Sequence, residues 1–114
     1  MKTYADKKNI YLSSLKSIHM NIQHDEKDGR GIFYVTIDGK QLAEMVYSIK
    51  EPGQMVIEHT EVDDALRGKN IGAQLVHAGA EYARQKHYTI IPLCPFANAF
   101  FKKRHEEYQD VLRK

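Results

Sequence analysis

The chain has 114 residues, 42% of them hydrophobic, which is enough for one compact domain with a single modest core. Lysine and arginine number 17 against 15 aspartate and glutamate residues, and the resulting net charge of +2 is too small to indicate nucleic-acid binding. Cys94 is the only cysteine, which excludes an internal disulfide and with it a disulfide-stapled secreted scaffold.

Residues 1–9 are charged and lack the apolar core of an export signal, and no stretch is long enough to span a bilayer. The sequence therefore predicts a cytoplasmic protein without a membrane anchor. Residues 1–17 show no clean periodicity and form an uncertain N-terminal segment, while residues 18–114 are predicted to form a single domain.

Alternating apolar and polar residues predict four strands in an antiparallel meander, at residues 18–23, 33–37, 43–49 and 55–62. A charged turn over residues 24–30 joins the first two strands. Asp38-Gly39 favours a tight hairpin turn because both positions tolerate positive φ, and Glu51-Pro52-Gly53 marks the next turn. The alternation places Met55, Ile57 and His59 on one face of the fourth strand.

After the meander the apolar period changes to that of a helix, over residues 70–86. Residues 88–93 are apolar and β-branched enough for a buried strand, and reaching it through a helix implies a parallel crossover beside strand four. Pro95 suits the first turn of a C-terminal helix. The predicted fold class is therefore α+β, a four-stranded meander followed by a helix, a parallel fifth strand and a last helix.

The segment from Arg67 to Ala73 places small residues and cations between strand four and the helix start. Free backbone N–H groups and the positive end of the helix dipole point into such a turn and can hold a pyrophosphate. The Gly-Lys-Ser/Thr ending of a Walker loop and the glycine spacing of a dinucleotide fingerprint are both missing. The alternative is an ordinary turn with surface cations.

Cys94 follows Pro92 at the end of strand five and precedes Pro95. Because proline cannot donate to a sheet ladder, pairing between strands four and five is predicted to fail here and to leave a gap for a linear ligand. A lone cysteine is either a buried small hydrophobe or a nucleophile, and the residues alone leave both open.

The chain resembles the GNAT superfamily of N-acetyltransferases, whose acetyl-CoA loop after strand four reads Arg/Gln-x-x-Gly-x-Gly/Ala. Arg67, Asn70 and Gly72 occupy those positions, with Asn70 in place of a glycine; asparagine tolerates left-handed φ best among the other residues. His59-Thr60 and Pro92-Leu93-Cys94 match the marks of a short stand-alone branch of that superfamily. The resemblance extends from about residue 32 to residue 112.

This resemblance implies acetyl-CoA as the cofactor, an amine of a small molecule, peptide or protein as the acceptor, and the gap as the site of the pantetheine arm. It implies no metal, no nucleic acid and a monomer or weak homodimer. The catalytic candidates are Cys94 and His59. The cofactor-binding candidates are Glu61, Val62, Arg67, Gly68, Lys69, Asn70, Ile71, Gly72, Ala73 and Asn98.

Two mechanisms stay open at this point. In direct transfer, His59 or Glu61 deprotonates the incoming amine. In a two-step transfer, Cys94 activated by His59 carries the acetyl group between half-reactions. His59 is otherwise a hydrogen-bonded core histidine, and Asn98 otherwise a helix-surface residue. The alternative function is a non-catalytic acyl-CoA-binding or regulatory module, because a fold and a cofactor loop do not establish turnover.

Overall fold

A computed structural model describes residues 21–112. The strands are β1 (Gln23–Lys27), β2 (Arg30–Ile37), β3 (Lys40–Lys50), β4 (Gln54–Val62) and β5 (Thr89–Pro92). The helices are α1 (Ile71–Lys86), α2 (Pro95–Lys103) and α3 (His105–Tyr108), and a turn of 3-10 helix covers Asp64–Leu66. The predicted N-terminal segment, 1–17, and the first residues of the predicted domain lie outside the described residues.

The five strands form one sheet in the order β1-β2-β3-β4-β5. The first four are antiparallel neighbours, and β5 runs parallel to β4 after the crossover through α1. The predicted α+β meander with a parallel fifth strand is thus confirmed. The hairpin turn at Asp38-Gly39 is confirmed as well, with φ values of 52° and 80°.

The first hairpin differs from the prediction. The charged segment 24–30 is not a turn, because β1 covers Gln23–Lys27 and β2 begins at Arg30. Only Asp28 and Gly29 form the turn, with φ values of 53° and 78°. An edge strand can carry charged side chains on its open side, so charge alone did not mark a loop here. Residues 18–20 of the predicted first strand lie outside the described residues.

The core lies between the sheet and α1. Met45 and Tyr47 of β3 and Leu75 of α1 have no exposed surface, and a Cβ added at Gly79 of α1 would lie 2.5 Å from Met45 Cε. Gly31 on β2 makes room for the Tyr47 ring, since a Cβ there would come within 2.3 Å of it. Across residues 21–112, no helix combines the length and apolar composition that crossing a membrane requires.

The polar residues of β1 form a network around Tyr47. The His24 ring stacks on Phe33 with centroids 4.0 Å apart, and its Nε2 lies 2.5 Å from Tyr47 Oη. Tyr47 donates a hydrogen bond to Glu26 at 2.6 Å, and Tyr82 donates to the same carboxylate at 2.9 Å. The network ties β1 to β3 and α1 through hydrogen bonds that depend on an ionised Glu26.

This network makes the free energy of unfolding depend on pH in the acidic range. Burial lowers the pKa of His24 below 6.5, and the hydrogen bond from Tyr47 lowers the pKa of Glu26 below 4.5. The unfolded chain therefore binds more protons below these values, so stability is complete above pH 6.5 and falls as the pH falls through both folded pKa values. Urea unfolding should give a lower free energy of unfolding at pH 4 than at pH 7.

Tyr47→Phe is the matched variant for this prediction, because it removes the donor to Glu26 and keeps the ring. Its free energy of unfolding should change less between pH 7 and pH 4 than that of the wild type. Asp110, whose pKa is lowered by its hydrogen bond from Arg84, keeps part of the dependence in both proteins. An equal pH dependence in the two proteins would show that the Tyr47 network does not carry it.

Candidate active site

A bulge in β4 decides which side chains reach the site. In the β3–β4 register Val46 faces His59, whereas the next residue, Tyr47, faces Ile57, so Glu58 is an extra residue. An extra residue shifts the alternation of faces by one position. Thr60 therefore shares the helix-covered face with Ile57, and His59 lies on the opposite face. The prediction that His59 shares a face with Met55 and Ile57 is wrong for this reason.

The gap between β4 and β5 forms where the prolines predicted it. The parallel pairing ends with Ile57 opposite Pro92. Both Leu93 N–H and Cys94 N–H donate to Ile57 O, at 3.0 and 3.1 Å, after which the chain turns into α2. Residues 59–62 of β4 pair with β3 and with no other described strand. Among residues 21–112, the edge of β4 along the gap therefore has no strand partner.

Cys94 lies at the inner end of this gap as the N-cap residue of α2. Its side chain is buried, and Sγ accepts a hydrogen bond from Ala97 N–H at 3.3 Å. Thr60 Oγ1 of β4 is the other partner of the sulfur, also at 3.3 Å. The structure thus brings Thr60, and not His59, to Cys94. The Asn98 amide donates to Pro92 O, at the end of β5, at 3.4 Å.

The turn between β4 and α1 has the backbone geometry that the sequence predicted. Gly68 has φ of 84°, and Asn70 adopts the left-handed region with φ of 60° and ψ of 28°. Asn70 is the N-cap residue of α1 but makes no side-chain cap bond. The first N–H groups of an α-helix have no intrahelical acceptor, so those at the start of α1 are left for a ligand or solvent.

These N–H groups open onto a cavity of about 510 Å³ between the turn, β4 and α2. The Arg67 side chain at its rim is 78% exposed and pairs with Asp64. Of the predicted cofactor-binding residues, Lys69, Glu61 and Asn98 do not line the cavity. Its lining comprises Thr60, Val62, Leu66, Arg67, Gly68, Asn70, Ile71, Gly72, Ala73 and Phe96.

Phe96 is a lining residue that the sequence analysis missed. Its ring rests on Gly72, where an added Cβ would lie 2.8 Å from Phe96 Cζ. The ring is 45% exposed although it is large and apolar. The absence of a side chain at Gly72 therefore leaves space for this ring, in addition to the predicted role of Gly72 in the turn. Phe96 precedes the first buried residue of α2, Ala97, and no spacing rule in the sequence marks it as part of a cavity.

On the opposite face of the sheet, His59 lies between two carboxylates. Its Nε2 is 3.5 Å from Glu44 Oε2 and 3.4 Å from Glu61 Oε1. Among residues 21–112, these three could offer ligand atoms to a metal ion, and those atoms lie within 4.8 Å of one another. Two of the three residues are exposed. The contacts of both carboxylates with the imidazole account for the grouping. His59 and Glu61 are thus half-exposed or exposed polar groups beside the gap rather than parts of the core.

Comparisons with known proteins agree with this geometry. A model of the family described as GCN5-related N-acetyl-transferase matches residues 32–111, which take in the turn, β4, the gap and α2. A solved structure from Staphylococcus aureus, described as GCN5-like, is 32% identical over 82% of this chain and 89% of that chain, with a TM-score of 0.63. Comparison with curated proteins gives no match.

Two more distant structures share the fold. A ribosomal-protein-alanine N-acetyltransferase from Brucella melitensis biovar Abortus has 16% identity over 66% of this chain and 62% of its own, with a TM-score of 0.55. A GNAT family N-acetyltransferase from Escherichia coli in complex with CoA has 20% identity over 55% of this chain and 39% of its own, with a TM-score of 0.51.

Proposed function

The chain belongs to the GCN5-related N-acetyltransferase family, and from that premise we propose that it transfers an acetyl group from acetyl-CoA to an amine. One observation carries the proposal for this particular chain. The cavity at the start of α1 continues along β4 to Thr60, whose hydroxyl contacts Cys94. A ligand with an anionic end and a reactive thioester end fits a path of this kind.

The anionic end of the cofactor belongs at the turn. The unpaired N–H groups at the start of α1 and the positive end of its dipole favour a pyrophosphate there. Arg67 is available as a further donor, because its pairing with Asp64 joins two largely exposed side chains and such pairs contribute little. In this proposal the pyrophosphate is held by Arg67, Gly68, Asn70, Ile71, Gly72 and Ala73. Lys69 is half-buried, does not line the cavity and takes no part.

The pantetheine arm belongs in the gap between β4 and β5. On the side toward β5, residues 59–62 of β4 pair with no described strand, so their peptide groups can pair with its amides as a strand would. This places the thioester near Thr60 and Cys94, where a β4 N–H group can polarise its carbonyl. Acetyl-CoA supplies the activated acetyl group; the residues of the chain orient it and handle the protons.

Cys94 carries the acetyl group in the version that we favour. A bond forms between Sγ and the acetyl carbon while the bond to the CoA sulfur breaks, and the thiol proton ends on the CoA sulfur. The amine then attacks, the bond to Cys94 Sγ breaks, and an amine proton returns to that sulfur. An amine that enters as the ammonium must first lose one further proton, and His59 or Glu61 on the opposite face can accept it.

A binding module without turnover is the second candidate. It is favoured by the burial of Cys94, which is 4% exposed and hydrogen-bonded as a helix cap. In that function the sulfur stabilises the start of α2, and the cavity binds CoA without a chemical step. Both candidates bind the same cofactor. They differ in whether any acetyl group is transferred, to Cys94 and then to an amine.

Thermal unfolding tests the cofactor common to both candidates. Acetyl-CoA and CoA should raise the melting temperature, whereas ATP and NAD at the same concentration should not. A ligand at about 100 times its Kd stabilises the folded state by about 2.7 kcal/mol, which corresponds to a shift on the order of 10 °C in a domain of this size. No shift at millimolar CoA would contradict the cofactor assignment.

A further inference from the structure

The Thr60 side chain lies between the cavity and Cys94. Thr60 lines the cavity, whereas Cys94 does not. The sulfur is buried at 4% exposure and its contact toward the cavity is Thr60 Oγ1, at 3.3 Å. A group that approaches Cys94 from the cofactor path therefore meets the threonine hydroxyl first.

The bulge at Glu58 sets this arrangement. Without the extra residue, the alternation along β4 would turn Thr60 to the opposite face and present His59 on the helix-covered side. With it, Thr60 stands opposite Met45 and faces the helices, while His59 pairs with Glu44 and Glu61 on the far face. The bulge thus brings the Thr60 hydroxyl, and not the His59 imidazole, next to Cys94.

The hydrogen bonds of the sulfur assign a role to that hydroxyl. Within residues 21–112, the partners of Cys94 Sγ are Ala97 N–H and Thr60 Oγ1. A backbone N–H can only donate, so the sulfur is the acceptor in that bond. A threonine hydroxyl both donates and accepts, so Oγ1 can accept the S–H proton of Cys94 while it donates its own proton toward the cavity.

We propose that Thr60 relays the thiol proton of Cys94 during acyl transfer, an inference that rests on the proposed function. As the Cys94 sulfur bonds to the acetyl carbon, its proton moves to Thr60 Oγ1. The hydroxyl proton of Thr60 moves to the CoA sulfur as the bond between that sulfur and the acetyl carbon breaks. The products are acetyl-Cys94, CoA as the free thiol and an unchanged threonine.

Thr60→Val and Thr60→Ser test the relay. Valine keeps the branched shape and removes the hydroxyl, whereas serine keeps the hydroxyl. With saturating acetyl-CoA, mass spectrometry should show acetyl-Cys94 forming about 100-fold more slowly in Thr60→Val, and within a few fold of the wild-type rate in Thr60→Ser. All three proteins should show a shift in melting temperature with CoA, which checks that each is bound by the cofactor under the labelling conditions.

Alkylation of Cys94 by iodoacetamide without CoA gives a second readout that does not depend on the cofactor. The valine variant should react more slowly than the wild type, and the serine variant at nearly the wild-type rate. A packing role alone predicts the opposite for valine, since loss of the hydrogen bond would free the sulfur.

The outcomes separate the two proposals. A wild-type protein without a CoA shift contradicts the proposed function, and the alkylation rates then still decide the Thr60–Cys94 coupling. A wild-type protein that binds CoA and never labels Cys94 overturns the relay and leaves CoA binding intact. Equal labelling rates in the wild type and Thr60→Val also overturn the relay, with the acetyl-cysteine step retained.

Discussion

Ala73→Asp should abolish the stabilisation by CoA while the protein stays folded. Ala73 lies in the first turn of α1, lines the cavity and is only partly buried. A carboxylate in the first turn of a helix is favourable to the helix itself. The same charge repels a pyrophosphate and competes for the N–H groups that would bind it. The shift in melting temperature with millimolar CoA should fall from the order of 10 °C to none.

Ala73→Asn is the matched control, because asparagine has the shape of aspartate without its charge. It should keep a larger part of the CoA shift than Ala73→Asp, and circular dichroism should show the same helix content in both variants. If Ala73→Asp binds CoA with wild-type affinity, the phosphates lie elsewhere and the turn is only a connection between β4 and α1. If both variants lose binding equally, size rather than charge excludes the ligand.

Local chemistry made most of the fold predictable. The Asp38-Gly39 turn, the helical period of α1 and the left-handed Asn70 each follow from a property of the residues involved, and the structure confirms them. Pro92 predicted the end of pairing between β4 and β5 because proline has no N–H to donate. Features of this kind need no knowledge of distant parts of the chain.

The bulge was not predictable in the same way. No glycine or proline marks Glu58, and its side chain forms a hydrogen bond with Ser48 and an ion pair with Arg30 from two other strands. Strict alternation assigns every second residue to the same face of a strand. The bulged residue shifts that assignment by one, so the faces predicted for His59 and Thr60 were interchanged. The candidate residues were therefore found in the right strand, while the partner of Cys94 was misassigned. The Asp28-Gly29 dipeptide, in contrast, did carry a signal for the first hairpin.

Cys94→Ala should remove acetyl labelling completely. When the wild-type protein is incubated with acetyl-CoA alone, the peptide that contains Cys94 should gain an acetyl mass that hydroxylamine removes, as expected of a thioester. Alanine cannot form that bond, so the mass should be missing from the variant. Because alanine also leaves Ala97 N–H without its cap acceptor, the variant should lose about 1 kcal/mol of stability. CoA binding should persist, since Cys94 does not line the cavity.

Cys94→Ser separates the chemical role from the capping role. A serine hydroxyl is a good helix cap and can keep the contact with Thr60, so this variant should recover the stability that alanine loses. Serine is a much weaker nucleophile than cysteine without a base, and within residues 21–112 the side-chain partner at this position is the Thr60 hydroxyl. It should therefore show no hydroxylamine-sensitive acetyl group. The acetyl-cysteine step is refuted if Cys94→Ala acetylates a generic amine at the wild-type rate with unchanged CoA affinity, because the sulfur then serves only to cap α2.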